Sequence, residues 1–130
     1  ADVVLLAPSN PVVSIGPILA IPGLADAVRA TSAPVVGVSP IIAGAVVRGM
    51  ADACLTAIGV STSADAVALH YGVRSAGGVI DGWLVDTADD AALAPVASAG
   101  IRARAVPLWL SDDATRAQVA RDAVELALSL

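Results

Sequence analysis

The opening stretch of the chain constrains its fold more than any other segment. Residues 3–7 form an unbroken apolar run, which is typical of a strand buried on both faces of a parallel sheet. Pro8 ends this strand because proline has no N–H to donate to a sheet ladder. In the following loop, Ser9-Asn10-Pro11, the proline keeps Asn10 out of the helical region, and Ser14 is placed to cap the next helix. A buried strand followed by a polar loop and then by the start of a helix is typical of ligand sites in open α/β sheets.

Strand-like and helix-like segments alternate along the rest of the chain. Further strands are predicted at residues 34–38 and 78–86 and, as a half-exposed edge strand, at 101–106. Helices are predicted at 22–30, at 50–58, from Ser61 or Ser63 to Tyr71, and at 87–99. A last helix is predicted from the acidic start Ser111-Asp112-Asp113 to about Leu128. Its residues expected to face the core are Val119, Ala123, Leu126 and Ala127. Residues 41–48 fit a loop with apolar contacts.

These segments predict an α/β fold with a Rossmann-like, mostly parallel sheet and flanking helices. Two of the helices fall between the second and third strands, so they form an inserted helical pair rather than a minimal crossover. Residues 1–130 are expected to form a single domain. The chain enters a core strand by Val3 and has no initial Met, so we expect it to be the later part of a longer protein.

Composition excludes several classes of function. All seven basic residues are arginine, the formal net charge is −5, and no basic stripe interleaves with aromatic residues, so nucleic acid is not an expected partner. Residues 3–25 and 30–47 are long and uncharged, but several prolines and polar residues interrupt both, which argues against membrane spans. Cys54 is the single cysteine and no signal peptide is visible, so a reducing cytoplasm is the expected location.

Polar residues that follow the predicted strands are the first candidates for a site. Ser9, Asn10 and Ser14 can hydrogen-bond a phosphate or a base, or can satisfy their own turn, and their spacing favours neither interpretation. Ser39 and Asp86 follow the next two strands and would line the same crevice if those strands neighbour the first. For Asp86, a helix cap together with Thr87 is the stronger interpretation.

Other reactive side chains lack the partners that catalysis needs. Arg48 lies in the glycine-bounded tract 44–49, where it is either a bidentate pyrophosphate ligand or a surface arginine. His70 and Cys54 have no nucleophile–base partner in the sequence, so both are predicted to be structural. No HExxH, CxxC or GxSxG motif occurs. No catalytic residue and no metal ligand are therefore assigned.

Five stretches of the sequence go beyond a generic pattern. The most specific are Ala7-Pro8-Ser9-Asn10-Pro11-Val12-Val13-Ser14-Ile15-Gly16-Pro17-Ile18-Leu19 and Pro34-Val35-Val36-Gly37-Val38-Ser39-Pro40-Ile41-Ile42; the others are Arg48-Gly49-Met50-Ala51-Asp52, His70-Tyr71-Gly72 and Asp81-Gly82-Trp83-Leu84-Val85-Asp86. In these motifs the chain resembles the 2-phospho-L-lactate transferase family of coenzyme F420 biosynthesis. Bacterial members of that family use a phosphoenolpyruvate-derived donor.

The resemblance implies a magnesium-dependent transfer. A guanosine-diphospho donor gives its phospholactate or phosphoenolpyruvate group to the deazaflavin alcohol Fo and releases GMP. The expected cofactor is therefore Mg²⁺, the expected partners are Fo and the donor, and a homo-oligomer is expected, without nucleic acid or membrane. A related nucleotide-binding regulatory module without transferase activity, and a structural or dimerisation fragment without a ligand, are the alternatives.

The chain departs from the family pattern in two respects. The family's glycine-rich phosphate loop and its metal-binding aspartate belong to an amino-terminal half that this sequence does not contain, so the chain alone is expected to be inactive. After Ile42, the family usually has Gly-Gly-Lys where this chain has Ala43-Gly44-Ala45. The residues that we assign to the nucleotide site are Ser9, Asn10, Pro11, Ser14, Ile15, Ser39 and Arg48.

Overall fold

Four strands form one parallel sheet, and the connections between them contain helices. The computed structural model describes residues 1–130. The strands β1 (Val4–Leu6), β2 (Val35–Val38), β5 (Gly82–Val85) and β6 (Arg102–Ala105) lie side by side in that order, while β3 (Ile41–Ile42) and β4 (Ala45–Val46) form a separate antiparallel hairpin. The helices are α1 (Gly16–Leu19), α2 (Leu24–Ala30), α3 (Ala51–Ala57), α4 (Ala64–Tyr71), α5 (Leu93–Ser98) and α6 (Asp113–Leu128).

Three further helical segments, which are not α-helical, complete the fold. A π-helical turn, Pro11–Ile15, leads directly into α1, and 3₁₀ turns occupy Arg74–Ala76 and Thr87–Ala92. The predicted α/β class is confirmed, as is the inserted pair, because α3 and α4 lie between β2 and β5. The sheet register pairs Val36 with Gly82 and Gly82 with Arg102, so the carboxyl ends of adjacent strands lie at one edge.

The two faces of the sheet carry separate cores. Side chains alternate along a strand, so Val35 and Val85 face one layer while Val36 and Leu84 face the other. The first layer contains apolar residues of α3, α4 and α5, whereas α6 covers the second face. The residues that α6 buries are the four that the sequence predicts: Val119, Ala123, Leu126 and Ala127.

The prediction that the first strand is buried on both faces is wrong. β1 has only β2 as a neighbour, and Leu5 is 42% exposed. The strands β2 and β5, which have neighbours on both sides, are buried at every residue. An apolar run indicates that a strand can be buried, whereas the position of the strand in the sheet decides how much of it is covered.

Three predicted boundaries also change. Residues 41–48 are not simply a loop, because Ile41 pairs with Val46 in the β3–β4 hairpin. The second helix begins at Leu24 rather than at residue 22, after Gly23, which has a φ of 82°. The third predicted strand shortens to Gly82–Val85, since the N–H groups of Val79 and Ile80 donate to carbonyls at the end of α4.

A close approach between β2 and β5 depends on a missing side chain. A Cβ atom at Gly37 would lie 2.6 Å from the Trp83 ring carbon Cε3. Trp83 is fully buried, and its Nε1 donates to the Ala64 carbonyl at 3.0 Å. The indole therefore lies across β2 at the one position without a Cβ, and it joins the sheet to the first turn of α4.

No single helix is both long enough and apolar enough to cross a membrane. The segments Pro11–Leu19 and Leu24–Ala30 reach the required length and composition only as a pair, and they are bent by 82° relative to each other.

Candidate functional site

The candidate site lies at the carboxyl edge of the sheet. β1 leads into the Pro8–Asn10 loop, β2 into Ser39, β5 into Asp86, and β6 into the segment 106–110. β2 neighbours β1, and β5 neighbours β2 rather than β1, so the three parallel strands end at one edge of the sheet. Of the two residues expected to line a crevice there, Ser39 lines the cleft described below and Asp86 does not.

Asn10 begins the helical segment after β1. Its Oδ1 accepts the N–H groups of Val12 at 2.9 Å and Val13 at 3.2 Å, and its φ and ψ of −57° and 119° are extended, as expected before Pro11. The prediction that Ser14 is the cap is wrong, since Ser14 lies inside the π-helical turn. Asn10 therefore uses its acceptor in the fold, and its Nδ2 donor makes no hydrogen bond within the chain.

The other assigned residues of this loop divide into two groups. Pro11 and Ile15 are buried, so their side chains hold the turn against the core. Ser9 and Ser14 are half-buried, and their hydroxyl groups have no hydrogen-bond partner within the protein. The structure thus leaves the two hydroxyls and the Asn10 amide as free polar groups on this loop.

Ser39 is buried at the end of β2. Its Oγ donates to the Ile41 carbonyl and accepts the Ile41 N–H, both at 3.1 Å. This local turn starts the β3–β4 hairpin. Ser39 also lines a cleft of about 540 Å³ at the carboxyl edge, within the range of small-molecule sites.

Arg48, two residues after the β3–β4 hairpin, lines the same cleft. Ala43 and Gly44, with φ angles of 53° and 69°, occupy the two central positions of the hairpin's tight turn. The two carboxylate oxygens of Asp89 each accept one of their N–H groups at 2.8 Å. Asp89 fixes this turn from 45 residues away in sequence. Arg48 is exposed and makes no hydrogen bond or ion pair within the chain.

Three aromatic or polar residues of the cleft were not assigned to a site from the sequence. Trp109, Ser111 and Arg116 line it together with Ser39 and Arg48. The one available signal was Trp109, because the chain has only two tryptophans and this one lies in the segment after the edge strand β6. Of the seven assigned residues, Ser39 and Arg48 line this cleft, whereas the Asn10 loop reaches it through Pro8.

Asp86 positions the segment that carries Trp109. Its Oδ1 accepts the Ala88 N–H at 2.9 Å, and its Oδ2 accepts the Leu108 N–H at 2.8 Å. The cap that the sequence favours is thus present, but the second bond is long-range. Asp86 is only 4% exposed, so these two backbone groups satisfy its buried carboxylate.

The carboxylates at this edge do not come together as a magnesium site. Both oxygens of Asp86 and both of Asp89 already accept backbone N–H groups. No three His, Cys, Asp or Glu side chains of the chain come together as a group that could hold a metal ion. We therefore assign no metal ligand and no metal-dependent step to these residues.

A larger cavity, of about 920 Å³, lies at the opposite, amino-terminal edge of the sheet. Its two half-buried charges are already paired, because Arg74 Nε donates to Asp81 Oδ1 at 2.9 Å and Nη2 lies 2.7 Å from Oδ2. Arg74 also donates to the carbonyls of Val28 and Thr31. With this pair satisfied within the fold, the smaller cleft is the better candidate, because it lies at the carboxyl edge, where open α/β sheets bind their ligands.

Titratable groups elsewhere have structural surroundings. Burial raises the pKa of the Tyr71 phenol well above its usual range, and the His70 ring lies beside it at 5.8 Å between centroids. Cys54 is half-buried and free. Hydrogen bonds from the backbone and side chain of Thr115 lower the pKa of Asp112, which caps α6. His70 and Cys54 remain predicted structural residues.

A parallel sheet with an inserted helical pair and an arginine-lined cleft at its carboxyl edge defines a Rossmann-like α/β protein. The family model described as "2-phospho-L-lactate transferase CofD" matches residues 1–122. The chain therefore belongs to the 2-phospho-L-lactate transferase CofD family, which confirms the resemblance found in its motifs.

Several curated relatives share more than half of their aligned residues with this chain. It is 61% identical over 127 residues to a phosphoenolpyruvate transferase of Kitasatospora aureofaciens, covering 98% of this chain and 38% of that protein. Phosphoenolpyruvate transferases of Mycobacterium ulcerans (strain Agy99) and Nocardia farcinica (strain IFM 10152) are 58% and 55% identical, with 98% of this chain and 37% of each relative covered. The chain thus spans somewhat more than a third of their length.

Proposed function

We propose that this chain forms part of the nucleotide site of a transferase in coenzyme F420 biosynthesis. The transferase moves a phosphoenolpyruvate or phospholactate group from a guanosine-diphospho donor to Fo and releases GMP. The observation that carries the proposal is the family match over residues 1–122, together with 55–61% identity to proteins named phosphoenolpyruvate transferase.

The proposed reaction is a phosphoryl transfer. The hydroxyl oxygen of Fo forms a new bond to the donor phosphorus that carries the acid, the bond from that phosphorus to the GMP portion breaks, and the hydroxyl proton is released. Such a reaction needs positioning and neutralisation of phosphate charge more than a covalent nucleophile. The unpaired Arg48 and the free polar groups of the Asn10 loop are suited to this role.

The reaction itself is the first test. The complete protein, incubated with Fo, the activated guanosine donor and Mg²⁺, should form dehydro-F420 or F420-0 and GMP, detected by mass spectrometry. Binding of the nucleotide without any product would support the regulatory-module alternative instead. The 130-residue chain assayed alone should give no product, and we expect the working protein to be a cytoplasmic homo-oligomer.

The contact of Asn10 with the nucleotide needs a variant that keeps the fold. Asn10→Ala removes both the helix cap and the free Nδ2 donor, whereas Asn10→Ser keeps a good capping side chain and removes only the amide donor. Loss of one hydrogen bond costs about 0.5–1.5 kcal/mol, so Asn10→Ser should weaken GDP binding roughly twofold to tenfold.

Calorimetry with GDP and with Fo separates the possible outcomes for this loop. Asn10→Ser should leave Fo affinity unchanged if the loop contacts the nucleotide. A loss confined to Fo would move the loop to the acceptor side, and unchanged affinity for both ligands would leave Asn10 with its capping role alone.

A further inference from the structure

Trp109 is a large apolar side chain that the fold leaves uncovered. It is 58% exposed at the cleft, and its Nε1 has no hydrogen-bond partner in the chain. The other tryptophan, Trp83, is fully buried and donates to Ala64. Core packing therefore accounts for Trp83 but not for the position of Trp109.

The backbone on both sides of Trp109 is held in place. Leu108 before it is 4% exposed, packs in the core beneath α6, and donates its N–H to the buried Asp86. After it, the reciprocal hydrogen bonds of Asp112 and Thr115 start α6. An exposed ring on an anchored segment loses little freedom when it binds a ligand, which favours affinity.

The charges that line the cleft are of one sign. Arg48 and Arg116 contribute guanidinium groups, and no aspartate or glutamate is among the lining residues, although the whole chain has a net charge of −5. Arg48 is unpaired, and Arg116 pairs only with the fully exposed Asp113 at 2.8 Å, a contact that solvent weakens. The cleft therefore combines an aromatic face with locally concentrated positive charge.

We propose that Trp109 is the stacking platform for the base of a purine nucleoside diphosphate, with Arg48 and Arg116 facing its phosphates. This assignment rests on the proposed function and names a residue that completes its nucleotide site. A planar base suits the indole face, and paired phosphates suit two guanidinium groups, whereas an uncharged ring system such as a deazaflavin would leave both arginines unused.

Calorimetry of GDP binding to the complete protein is the first experiment. Trp109→Leu should weaken GDP binding roughly fivefold to a hundredfold, as expected for loss of one base–aromatic stack, and Trp109→Phe should restore most of the affinity. Leu69→Ala is the matched control, because it removes a similarly exposed apolar side chain (48% exposed) from α4, outside the cleft. Unfolding curves for each variant verify that the fold is retained.

The arginines are tested by comparing ligands with and without phosphate. Arg48→Gln and Arg116→Gln should each weaken GDP binding more than guanosine binding, while Trp109→Leu should weaken both. In protein labelled with 5-fluorotryptophan, the ¹⁹F resonance that disappears in Trp109→Phe should shift when GDP is added. A GDP affinity that stays within twofold in Trp109→Leu, or an unshifted Trp109 resonance, would overturn the assignment.

The test of the stacking role of Trp109 can fail or succeed independently of the test of the transferase reaction. If the complete protein transfers the group to Fo and Trp109→Leu changes neither GDP affinity nor the Michaelis constant for the donor, the stacking role is wrong while the proposed function holds. If GDP binds with the predicted dependence on Trp109 but no product forms, the site holds and the transferase assignment fails. Loss of Fo affinity alone in Trp109→Leu would also overturn the assignment.

Discussion

Asp86 offers the sharpest test of how the fold holds the candidate site. Its buried carboxylate accepts one N–H from Ala88, which starts the turn after β5, and one from Leu108, which precedes Trp109. Asp86→Asn keeps the size of the side chain but replaces one acceptor oxygen with an NH₂ group. One of the two backbone N–H groups then faces a donor in a buried environment.

The magnitude follows from these two bonds. A hydrogen bond to a charged group contributes about 1.5–3 kcal/mol, and a buried donor left without a partner costs about 1–3 kcal/mol. Asp86→Asn should therefore lower the free energy of unfolding by about 1.5–3 kcal/mol. With a urea dependence typical of small proteins, the unfolding midpoint should fall by roughly 1 M.

Urea unfolding of the 130-residue chain, followed by circular dichroism, measures this loss. Asp90→Asn is the matched control, since Asp90 is exposed on the same turn and its carboxylate makes no hydrogen bond or ion pair. Its effect should lie within about 0.5 kcal/mol. Amide hydrogen exchange adds a residue-specific measurement, because Asp86→Asn should reduce protection at Ala88 or Leu108. Equal stability of the two variants, with both amides still protected, would refute the positioning role.

Three further outcomes are expected. Gly37→Ala should destabilise the chain by about 1–3 kcal/mol in urea unfolding, because the new methyl group overlaps the Trp83 ring, and wild-type stability would show that the ring can move aside. Asp112→Ala should reduce stability at neutral pH, because it removes the cap that Asp112 shares with Thr115. Folding lowers the pKa of Asp112. The stabilisation by the ionised carboxylate is therefore present above the carboxyl's unfolded pKa and is lost as the pH falls through its folded pKa. The stability difference between wild type and Asp112→Ala should thus shrink on acidification, and a pH-independent difference would contradict this. His70→Gln should retain turnover within a fewfold in the complete protein, and a loss of several thousandfold with folding intact would show that His70 is catalytic.

Local patterns in the sequence were sufficient for much of the architecture. The spacing of apolar residues in α6 identified its buried face, because a helix repeats every 3.6 residues whatever it packs against. Alternation in residues 101–106 likewise identified β6 as a half-exposed edge strand. Pro11 fixed the extended conformation of Asn10, since that restriction acts between adjacent residues. The motifs of the first loop and of β2 identified the family.

What the sequence could not determine depends on contacts between distant residues. The exposure of Leu5 follows from the edge position of β1, and the choice of Asn10 over Ser14 as cap depends on where the helical turn begins. Arg48 and Trp109 are far apart in the chain and line one cleft only because β2, β5 and β6 end at one edge. Asp86 similarly reaches Leu108 across 22 residues. Sequence periodicity indicates local conformation. The cleft depends on the order of the strands and on how the loops at their ends pack together, and both are decided by the packing of the whole sheet.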